Sequence, residues 1–291
     1  MTFCIVIPTY RRSELLNRVL PSYLGTGADQ IILVDDGSGQ PHDQRLVTMA
    51  KEHGVNLVTL RIHSGSPTAR NEGILHSSGE WIVFGEDDVW FTPDYARTLI
   101  AHAVACDALM ASGLVPLVDP RLLDGPREEL ERTIRGSPMT GRPPDEFLGA
   151  PWPVERLPSG DIVTPLLTAT AAVHRSVFDR VRYDTRYVGN SFREETDFAF
   201  SCAEAGFRTV YCPHATCGHM KSRASGAPGG QWSMSRHRYA FHMLTNNWRF
   251  LKRHEVTLRD ARSRSGRPTG LVRMQLEFAA TLLGRIRRPS A

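Results

Sequence analysis

Short apolar runs alternate with helical patterns along the first hundred residues of the chain. The apolar runs predict strands at Phe3–Ile7, Gln30–Val34, Val55–Ile62 and Trp81–Phe84. Amphipathic spacing predicts helices at Ser13–Leu24, His42–His53, Thr68–His76 and Pro93–Val104. Strands separated by helices of this length are typical of βαβ units. The pattern therefore predicts an α/β fold, Rossmann-like, with a doubly wound and mostly parallel sheet.

The pattern changes after a further apolar run at Leu109–Val115. Ten prolines fall between residues 116 and 165, which predicts a long excursion around a short helix at Glu128–Arg135. Excursions of this length often form binding loops. The rest of the chain predicts a strand at Leu166–Val173, a helix at Glu194–Ala205, a strand at Arg208–Tyr211, a flexible segment at Ser222–Gln231, and basic helices at Ser233–Arg253 and Thr269–Arg287.

Composition narrows the class of protein. The 291 residues are 41% hydrophobic and 23% charged, as in globular proteins, and no apolar run reaches the roughly 20 residues of a membrane span. The N-terminal apolar run lacks the flanking pattern of a signal peptide. Five cysteines without a CxxC pair argue against a disulfide framework. We therefore expect a cytoplasmic protein.

Charge is divided unevenly along the chain. The formal net charge of +4 does not by itself indicate nucleic-acid binding. Residues 221–291 carry 15 of the 35 basic and three of the 31 acidic residues, which makes this part +12 and residues 1–220 −8. The tail at Leu271–Arg288 is apolar in its middle and basic at its end. This pattern favours a packed or dimer-forming helix, with peripheral contact to an anionic membrane face as the alternative.

Ligands of doubly wound sheets bind at the carboxyl ends of the strands. The first strand is followed by Pro8-Thr9-Tyr10, which lacks the glycines that a dinucleotide cofactor requires, and no Walker A loop occurs. The second strand is followed by Asp35-Asp36-Gly37-Ser38. Its carboxylates could bind a sugar hydroxyl or a base, but taken alone an Asp-Gly pair favours a turn.

Three successive acids, Glu86-Asp87-Asp88, follow the fourth strand. Like charges this close raise one another's pKa, and a divalent cation removes that repulsion. Oxygen ligands select a hard ion such as Mg²⁺ or Mn²⁺. The position at a strand end favours a metal site over a solvated acidic loop.

These residues, in this order, resemble the family 2 glycosyltransferases of GT-A fold over about residues 3–220. The resemblance rests on five segments: Ile5–Arg12, Val34–Ser38, Ala69-Arg70-Asn71-Glu72-Gly73, Glu86-Asp87-Asp88, and Arg193–Phe198 with its flanks Arg175–Phe178 and Ala205–Arg208. It implies a glycosyltransferase domain at 1–220, with a donor side at about 1–115 and an acceptor side at about 116–220. Residues 221–291 are expected to form a flexible segment and basic C-terminal helices outside it.

The resemblance also implies roles for single residues. The nucleotide-sugar donor would be held by Pro8, Thr9, Tyr10, Asp36, Arg70 and Asp87. Asp88 would be the direct metal ligand, assisted by His219. Glu86 stands where many relatives have Asp.

The catalytic base is expected at the start of the helix after residue 193. Glu194-Glu195 takes the place of the family's Glu-Asp pair, whose second member is the base, so Glu195 is the expected base and Asp197 its rival. Without the resemblance, three acids here could equally cap the helix, because acids stabilise a helix N-terminus.

Four zinc-type residues surround the end of the last predicted strand, namely Cys212, His214, Cys217 and His219. Their spacing is tighter than that of structural zinc sites, where a longer stretch separates the ligand pairs. Buried inert cysteines are the favoured interpretation.

The expected function is a metal-dependent, inverting transfer of a sugar from a nucleoside-diphosphate donor, with Mg²⁺ or Mn²⁺ as cofactor. The acceptor would be a glycan, a lipid-linked sugar or a small molecule. The alternatives are a sugar nucleotidyltransferase, disfavoured because no Gly-rich loop follows the first strand, and a non-catalytic sugar- or lipid-binding module.

Overall fold

The computed structural model describes residues 1–137, 155–157, 159, 161–164, 167–220, 234–264 and 266–287. The predicted segment Ser222–Gln231 lies outside these residues, as does the middle of the 116–165 excursion.

One mixed sheet organises the described residues. Its strands are β1 (Phe3–Thr9), β2 (Gln30–Asp35), β3 (Asn56–Thr59), β4 (Trp81–Phe84), β5 (Val89–Phe91), β6 (Met110–Leu114), β7 (Leu117–Val118), β8 (Glu155–Arg156), β9 (Ile162–Val163), β10 (Ala172–His174) and β11 (Thr209–Met220). The strand order is β3-β2-β1-β4-β10-β6-β11-β9-β8, and β5 and β7 also pair with β11.

Helices cover the sheet and extend beyond it. They are α1 (Ser13–Leu24), α2 (His42–His53), α3 (Ser66–His76), α4 (Tyr95–Ala105), α5 (Arg127–Arg135), α6 (Glu194–Glu204), α7 (Arg236–Arg253), α8 (Glu255–Arg264) and α9 (Leu271–Arg287). Short 3₁₀ helices lie at Pro120–Asp124 and Arg175–Asp179.

The strands β3, β2, β1 and β4 run parallel, as the sequence predicts. Thr9 pairs with Asp35 and Val6 with Phe84, so the carboxyl ends of β1, β2 and β4 meet at one edge. The strand β10 then runs antiparallel between β4 and β6. The loops that follow these parallel strands therefore converge on one side of the molecule.

Both faces of the sheet are buried, which explains the continuous apolar runs. Ile5 and Ile7 point into a core that they share with α1 and α4, whereas Cys4 and Val6 point into a second core with Ala69 of α3. Successive side chains of a strand alternate between faces, so a strand covered on both sides needs apolar residues throughout.

Several predicted elements have other bounds. The third strand covers Asn56–Thr59 rather than Val55–Ile62. The strand predicted at Leu166–Val173 is confined to Ala172–His174. The strand predicted at Arg208–Tyr211 continues to Met220, because β5, β6 and β7 supply backbone partners along its length.

The C-terminal helices pack against the sheet domain rather than standing apart. Phe200 of α6 is buried with Phe250 of α7, Leu258 of α8 and Met274 of α9. This packing is the favoured one of the roles predicted for the tail. None of the helices in the described ranges combines the length and hydrophobicity of a membrane span.

Candidate functional site

A cleft of about 960 Å³ opens at the edge where the parallel strands end. The loops after β1, β2 and β4 form its floor, and the segment 188–196 and the start of α7 form the opposite wall. Predicted site residues that line it are Pro8, Thr9, Tyr10, Asp36, Arg70, Asp87, Asp88, Glu194, Glu195 and His219.

The turn Glu86-Asp87-Asp88 after β4, called the acidic turn below, is held in place by Tyr23 of α1. The Tyr23 hydroxyl donates to the carbonyl oxygen of Glu86 at 2.7 Å and accepts from its backbone N–H at 3.1 Å. A Cβ on Gly85 would lie 2.8 Å from the Tyr23 ring, so glycine lets the turn approach this closely. The turn therefore presents its three carboxylates in a fixed arrangement.

Arg12 bridges two of these carboxylates, a role that the sequence did not reveal. Its Nη1 donates to Asp87 Oδ1 at 2.7 Å and its Nη2 donates to Asp88 Oδ2 at 2.8 Å. Thr9 donates to the other oxygen of Asp87 at 2.9 Å. Burial raises the pKa of Asp87 to about 6 even against the charge of Arg12. The basic pair Arg11-Arg12 after β1 was the available signal.

Glu86, Asp88 and His219 form a candidate metal group. Their nearest ligand atoms lie within 4.8 Å of one another, and His219 Nε2 is 3.2 Å from Asp88 Oδ2. Burial and the charge of Asp88 raise the pKa of Glu86 to about 7. Two carboxylates and an imidazole suit a divalent cation, which would relieve their repulsion.

The pKa values of Asp88 and His219 are shifted in opposite directions by their contact with each other. Burial alone would raise the pKa of Asp88, but the hydrogen bond to His219 and the charges of His219 and Arg12 lower it to about 2. Burial alone would lower the pKa of His219, but the contact with Asp88 raises it to about 9.

The strand β5 explains how His219 reaches the acidic turn. It was not predicted, yet it follows Asp88 directly and pairs antiparallel with β11, with Val89 opposite His219. The backbone N–H of Met220 also donates to the carbonyl oxygen of Asp88 at 2.8 Å. Strand pairing thereby brings together Asp88 and His219, which are about 130 residues apart in the sequence.

Asp36 shapes the loop after β3. Its two carboxylate oxygens accept the backbone N–H groups of Ser64 at 2.7 Å and Gly65 at 2.8 Å. His63 Nδ1 lies 2.8 Å from Asp36, and the His63 ring stacks on Tyr10 at a centroid distance of 3.8 Å. The loop thus places a pair of stacked rings at one end of the cleft.

Arg70 lies at the centre of the site and is fully buried. Its guanidinium nitrogens lie 3.8 Å from Glu86, 3.6 Å from Glu194 and 3.7 Å from Glu195. It also donates to the carbonyl oxygen of Ala169 at 2.9 Å and lies over the Phe84 ring. One buried cation therefore links the candidate metal group to the first turn of α6.

The two glutamates at the start of α6 differ in environment. Glu194 is buried, one of its oxygens lacks a hydrogen-bond partner, and burial and the charge of Glu195 raise its pKa well above the usual range. The Glu195 side chain is 26% exposed and reaches the cleft. Of the two, Glu195 is the carboxylate open to a ligand.

Asp197 does not line the cleft. It is fully buried, and its carboxylate accepts from the Tyr187 hydroxyl at 2.9 Å, lies 3.0 Å from His254 Nε2, and accepts from Arg253 at 3.0 Å. These partners connect α6 to the end of α7. The structure therefore places this rival of Glu195 in a helix-docking contact.

The start of α7 completes the cleft, a position that its sequence pattern did not predict. Arg238, Tyr239 and His242 lie opposite the strand ends. A Cβ on Gly189 would lie 2.4 Å from the His242 ring, so α7 sits directly against the 188–196 segment. Asn246 fixes this contact by donating to the carbonyl oxygen of Val188 at 2.9 Å.

Comparison with known proteins identifies the family. The family model for glycosyl transferase family 2 matches residues 4–181, more than half of the chain. The chain belongs to this family. This membership is the one that the resemblance implied.

Two curated relatives are named as glycosyltransferases. The chain is 31% identical over 101 residues to WcaA of Escherichia coli (strain K12), a glycosyl transferase assigned to colanic acid biosynthesis, covering 34% of this chain and 36% of WcaA. It is 24% identical over 161 residues to an uncharacterized glycosyltransferase of Haemophilus influenzae, covering 50% and 53%. The chain thus spans about half or less of these relatives.

Solved structures show the same fold at low sequence identity. The mannosyltransferase PcManGT of Pyrobaculum calidifontis aligns with a TM-score of 0.56 at 16% identity, covering 86% of this chain and 64% of that one. TarS of S. aureus (residues 1–349) aligns with a TM-score of 0.54 at 14% identity, covering 87% and 72%. The predicted GT-A fold is confirmed.

Proposed function

We propose that this glycosyltransferase is metal-dependent and inverting, and that it transfers a sugar from a nucleoside-diphosphate donor to an acceptor hydroxyl. One observation carries the proposal. The candidate metal group and the accessible carboxylate of Glu195, at the start of α6, share one cleft and lie on either side of the buried Arg70. An inverting transfer requires this pair of functions, one at the leaving diphosphate and one at the nucleophile.

The donor class is supported by the ligands of two structural neighbours. The PcManGT structure contains GDP-Man and Mn²⁺, and TarS was solved with UDP-GlcNAc. We assign the nucleobase and ribose to the end of the cleft formed by Pro8 and Tyr10, where the stacked His63 ring extends the aromatic surface. Asp36 shapes this end by holding the loop at Ser64 and Gly65.

The diphosphate is assigned to the acidic turn. Glu86, Asp88 and His219 would hold Mg²⁺ or Mn²⁺, which when bound stabilises the negative charge on the departing diphosphate. Arg12 already fixes the orientation of the Asp87 and Asp88 carboxylates through two short hydrogen bonds. The Asp88 carboxylate is therefore held in a defined orientation.

Glu195 is assigned as the base that accepts the proton of the acceptor hydroxyl. Its neighbour Glu194 is buried, and burial and the charge of Glu195 raise the pKa of Glu194 well above its usual range, whereas Glu195 is exposed to the cleft. Two adjacent carboxyl groups in contrasting environments often divide their roles in this way. The acceptor would approach from the wall formed by Arg238, Tyr239 and His242, as a glycan, a lipid-linked sugar or a small molecule.

The direct test is a screen of UDP-, GDP- and dTDP-sugars for Mn²⁺-dependent transfer or hydrolysis. We expect Glu195→Gln to lower turnover by about 10²–10⁴-fold, the usual contribution of a general base. Asp88→Asn should abolish the response to Mn²⁺, and EDTA should inactivate the wild type reversibly.

The matched control is Asp94→Asn, since Asp94 is an exposed acid paired with Arg135 outside the cleft. It should leave turnover unchanged. Near-normal turnover of Glu195→Gln would disprove its role as the base. Full activity in EDTA would disprove the dependence on metal.

A further inference from the structure

A second cluster of side chains that could bind a metal ion lies outside the cleft. It comprises His102 on α4, Cys106 directly after that helix, and Asp161 directly before β9. Their ligand atoms lie within 4.8 Å of one another. We propose that His102, Cys106 and Asp161 bind a zinc ion that joins the end of α4 to the edge of the sheet.

The spacing within the cluster fits tetrahedral zinc. Zn–N and Zn–O bonds of about 2.0–2.1 Å and a Zn–S bond of about 2.3 Å separate N and O ligands by about 3.3 Å and N and S ligands by about 3.5 Å. The observed separations are 3.4 Å between His102 Nε2 and Asp161 Oδ1, and 4.0 Å between His102 Nε2 and Cys106 Sγ. Only a small movement of the thiol would complete the geometry.

Local structure orients each ligand. His102 and Cys106 are four residues apart, so the last turn of α4 places them on one face. The hydroxyl of Ser159 donates to Asp161 Oδ2 at 2.6 Å, which leaves Oδ1 directed at His102. Carboxylates that bind metals commonly have such an outer hydrogen bond.

The three ligands leave one position of a tetrahedral zinc ion open. A water molecule would fill this fourth position.

Of the four residues of zinc-binding type noted near the end of β11, His219 lines the cleft, and Cys212 and Cys217 are buried. The second cluster shares no residue with the cleft. The second site is separate from the proposed sugar transfer, and either can fail without the other.

A bound zinc would strengthen a weak part of the sheet. The strands β8 and β9 contain two residues each, and β9 pairs with β11 only at Val210 and Tyr211. Asp161 is next to β9, so a bond from it to a metal on α4 would hold this edge in place. The result would be a structural rather than a catalytic ion.

The test uses cobalt as a spectroscopic probe on the full chain after treatment with EDTA. Cys106 is the one cysteine of the five that is not buried. A thiolate-to-cobalt charge-transfer band in the near ultraviolet is therefore expected in the wild type and in Asp88→Asn, and it should be lost in Cys106→Ser. Zinc added to the cobalt form should remove the band by displacement.

Two further variants separate metal binding from a hydrogen-bonded cluster. Ser159→Ala should weaken zinc binding by about 10-fold or more, the usual cost of losing an outer-shell partner, and His102→Gln should weaken it further. Zinc should raise the midpoint of thermal unfolding of Asp88→Asn but not of the double variant Asp88→Asn/His102→Gln, in which neither site is intact. Absence of the charge-transfer band at saturating cobalt, or its persistence in Cys106→Ser, would overturn the proposal.

Discussion

Two acids in the first turn of α6, the proposed base Glu195 and its rival Asp197, have different surroundings. Glu195 reaches the cleft, whereas Asp197 is fully buried among Tyr187, Arg253 and His254. The sequence spacing could not distinguish them, because residues two apart on a helix point in different directions and the fold decides which direction is the cleft.

A pair of variants tests this division. We expect Asp197→Ala to lower the free energy of unfolding by about 3 kcal/mol or more, because it leaves Arg253 and His254 without their buried partner. Glu195→Gln should change it by about 0.5 kcal/mol or less while turnover falls. Urea denaturation and initial rates measure both quantities. A stable but inactive Asp197→Ala protein would return that residue to the catalytic group.

Arg70 provides a second prediction for a single residue. Replacing it with methionine leaves Glu86, Glu194 and Glu195 without their shared cation, and we expect a loss of about 3–5 kcal/mol in the free energy of unfolding. Arg45→Met is the control, because Arg45 forms an exposed ion pair with Glu14 and such pairs contribute about 0–1 kcal/mol. Equal losses for the two variants would contradict the central role of Arg70.

Among the elements, those with strong local patterns were predicted and those made by distant pairing were not. The parallel strands β1, β2 and β4 and the helices α1 and α2 are close to their predicted bounds, since each carries its own apolar periodicity. The three-residue strand β5 and the extension of β11 have no such signal. They form because Val89–Phe91 and the end of β11 pair with each other across more than 120 residues.

The site was also predicted only in part, because contacts between distant parts of the chain leave no local pattern in the sequence. Asp88 and Glu195, which both line the cleft, could be singled out because they lie in short segments that resemble those of the family. Arg12 was missed because its role depends on which carboxylates it meets in the fold. The wall formed by α7 was missed because nothing in its basic, amphipathic pattern indicates which side of the domain it covers.

The contact between α7 and Gly189 can be tested directly. Gly189 has φ +70°, and a Cβ there would lie 2.4–2.6 Å from atoms of the His242 ring. Gly189→Ala should therefore lose about 1–3 kcal/mol from overpacking in addition to the backbone strain. Transfer should also weaken, since α7 must move away from the cleft.

Gly39→Ala is the matched control for that variant. Gly39 has the same φ of +70°, but no atom lies within 4 Å of the position that a Cβ would take, so this variant reports the backbone strain alone. Chemical denaturation and acceptor KM should be measured for both variants. If the two lose equal stability, the close contact of α7 with this loop does not contribute.

For the molecule as a whole, charge joins the C-terminal helices to the sheet domain. Arg253 of the basic tail pairs with Asp184 at 2.7 Å and with Asp197 at 3.0 Å, both in the acidic part of the chain. The net charges of +12 and −8 therefore belong to two parts that are in contact, and the apolar cluster around Phe250 lies beside these ion pairs.

The ion pair between Arg253 and Asp184 predicts a contribution to the free energy of unfolding that is lost in acid. Burial alone would raise the pKa of Asp184, but the hydrogen bonds and charge of Arg186 and the charge of Arg253 lower it from 3.8 to about 2. A lowered folded-state pKa stabilises the protein above the unfolded value, and this contribution is lost as the pH falls from 3.8 toward 2. Asp184→Asn should thus be less stable than the wild type near neutral pH.

The difference between the two proteins should shrink as the pH falls below about 4, where the unfolded carboxyl takes up its proton. Urea unfolding of both proteins at neutral and acidic pH measures it. A difference that stays constant across this range would show that Asp184 acts through its shape and hydrogen bonds rather than its charge.

The bridge made by Arg12 has a consequence for how the enzyme acquires its proposed ion. Because a fixed guanidinium already neutralises part of the charge of Asp87 and Asp88, the acidic turn can fold before any divalent cation arrives. The proposed ion would therefore bind to a turn that is already folded, and its removal would leave the protein folded but inactive.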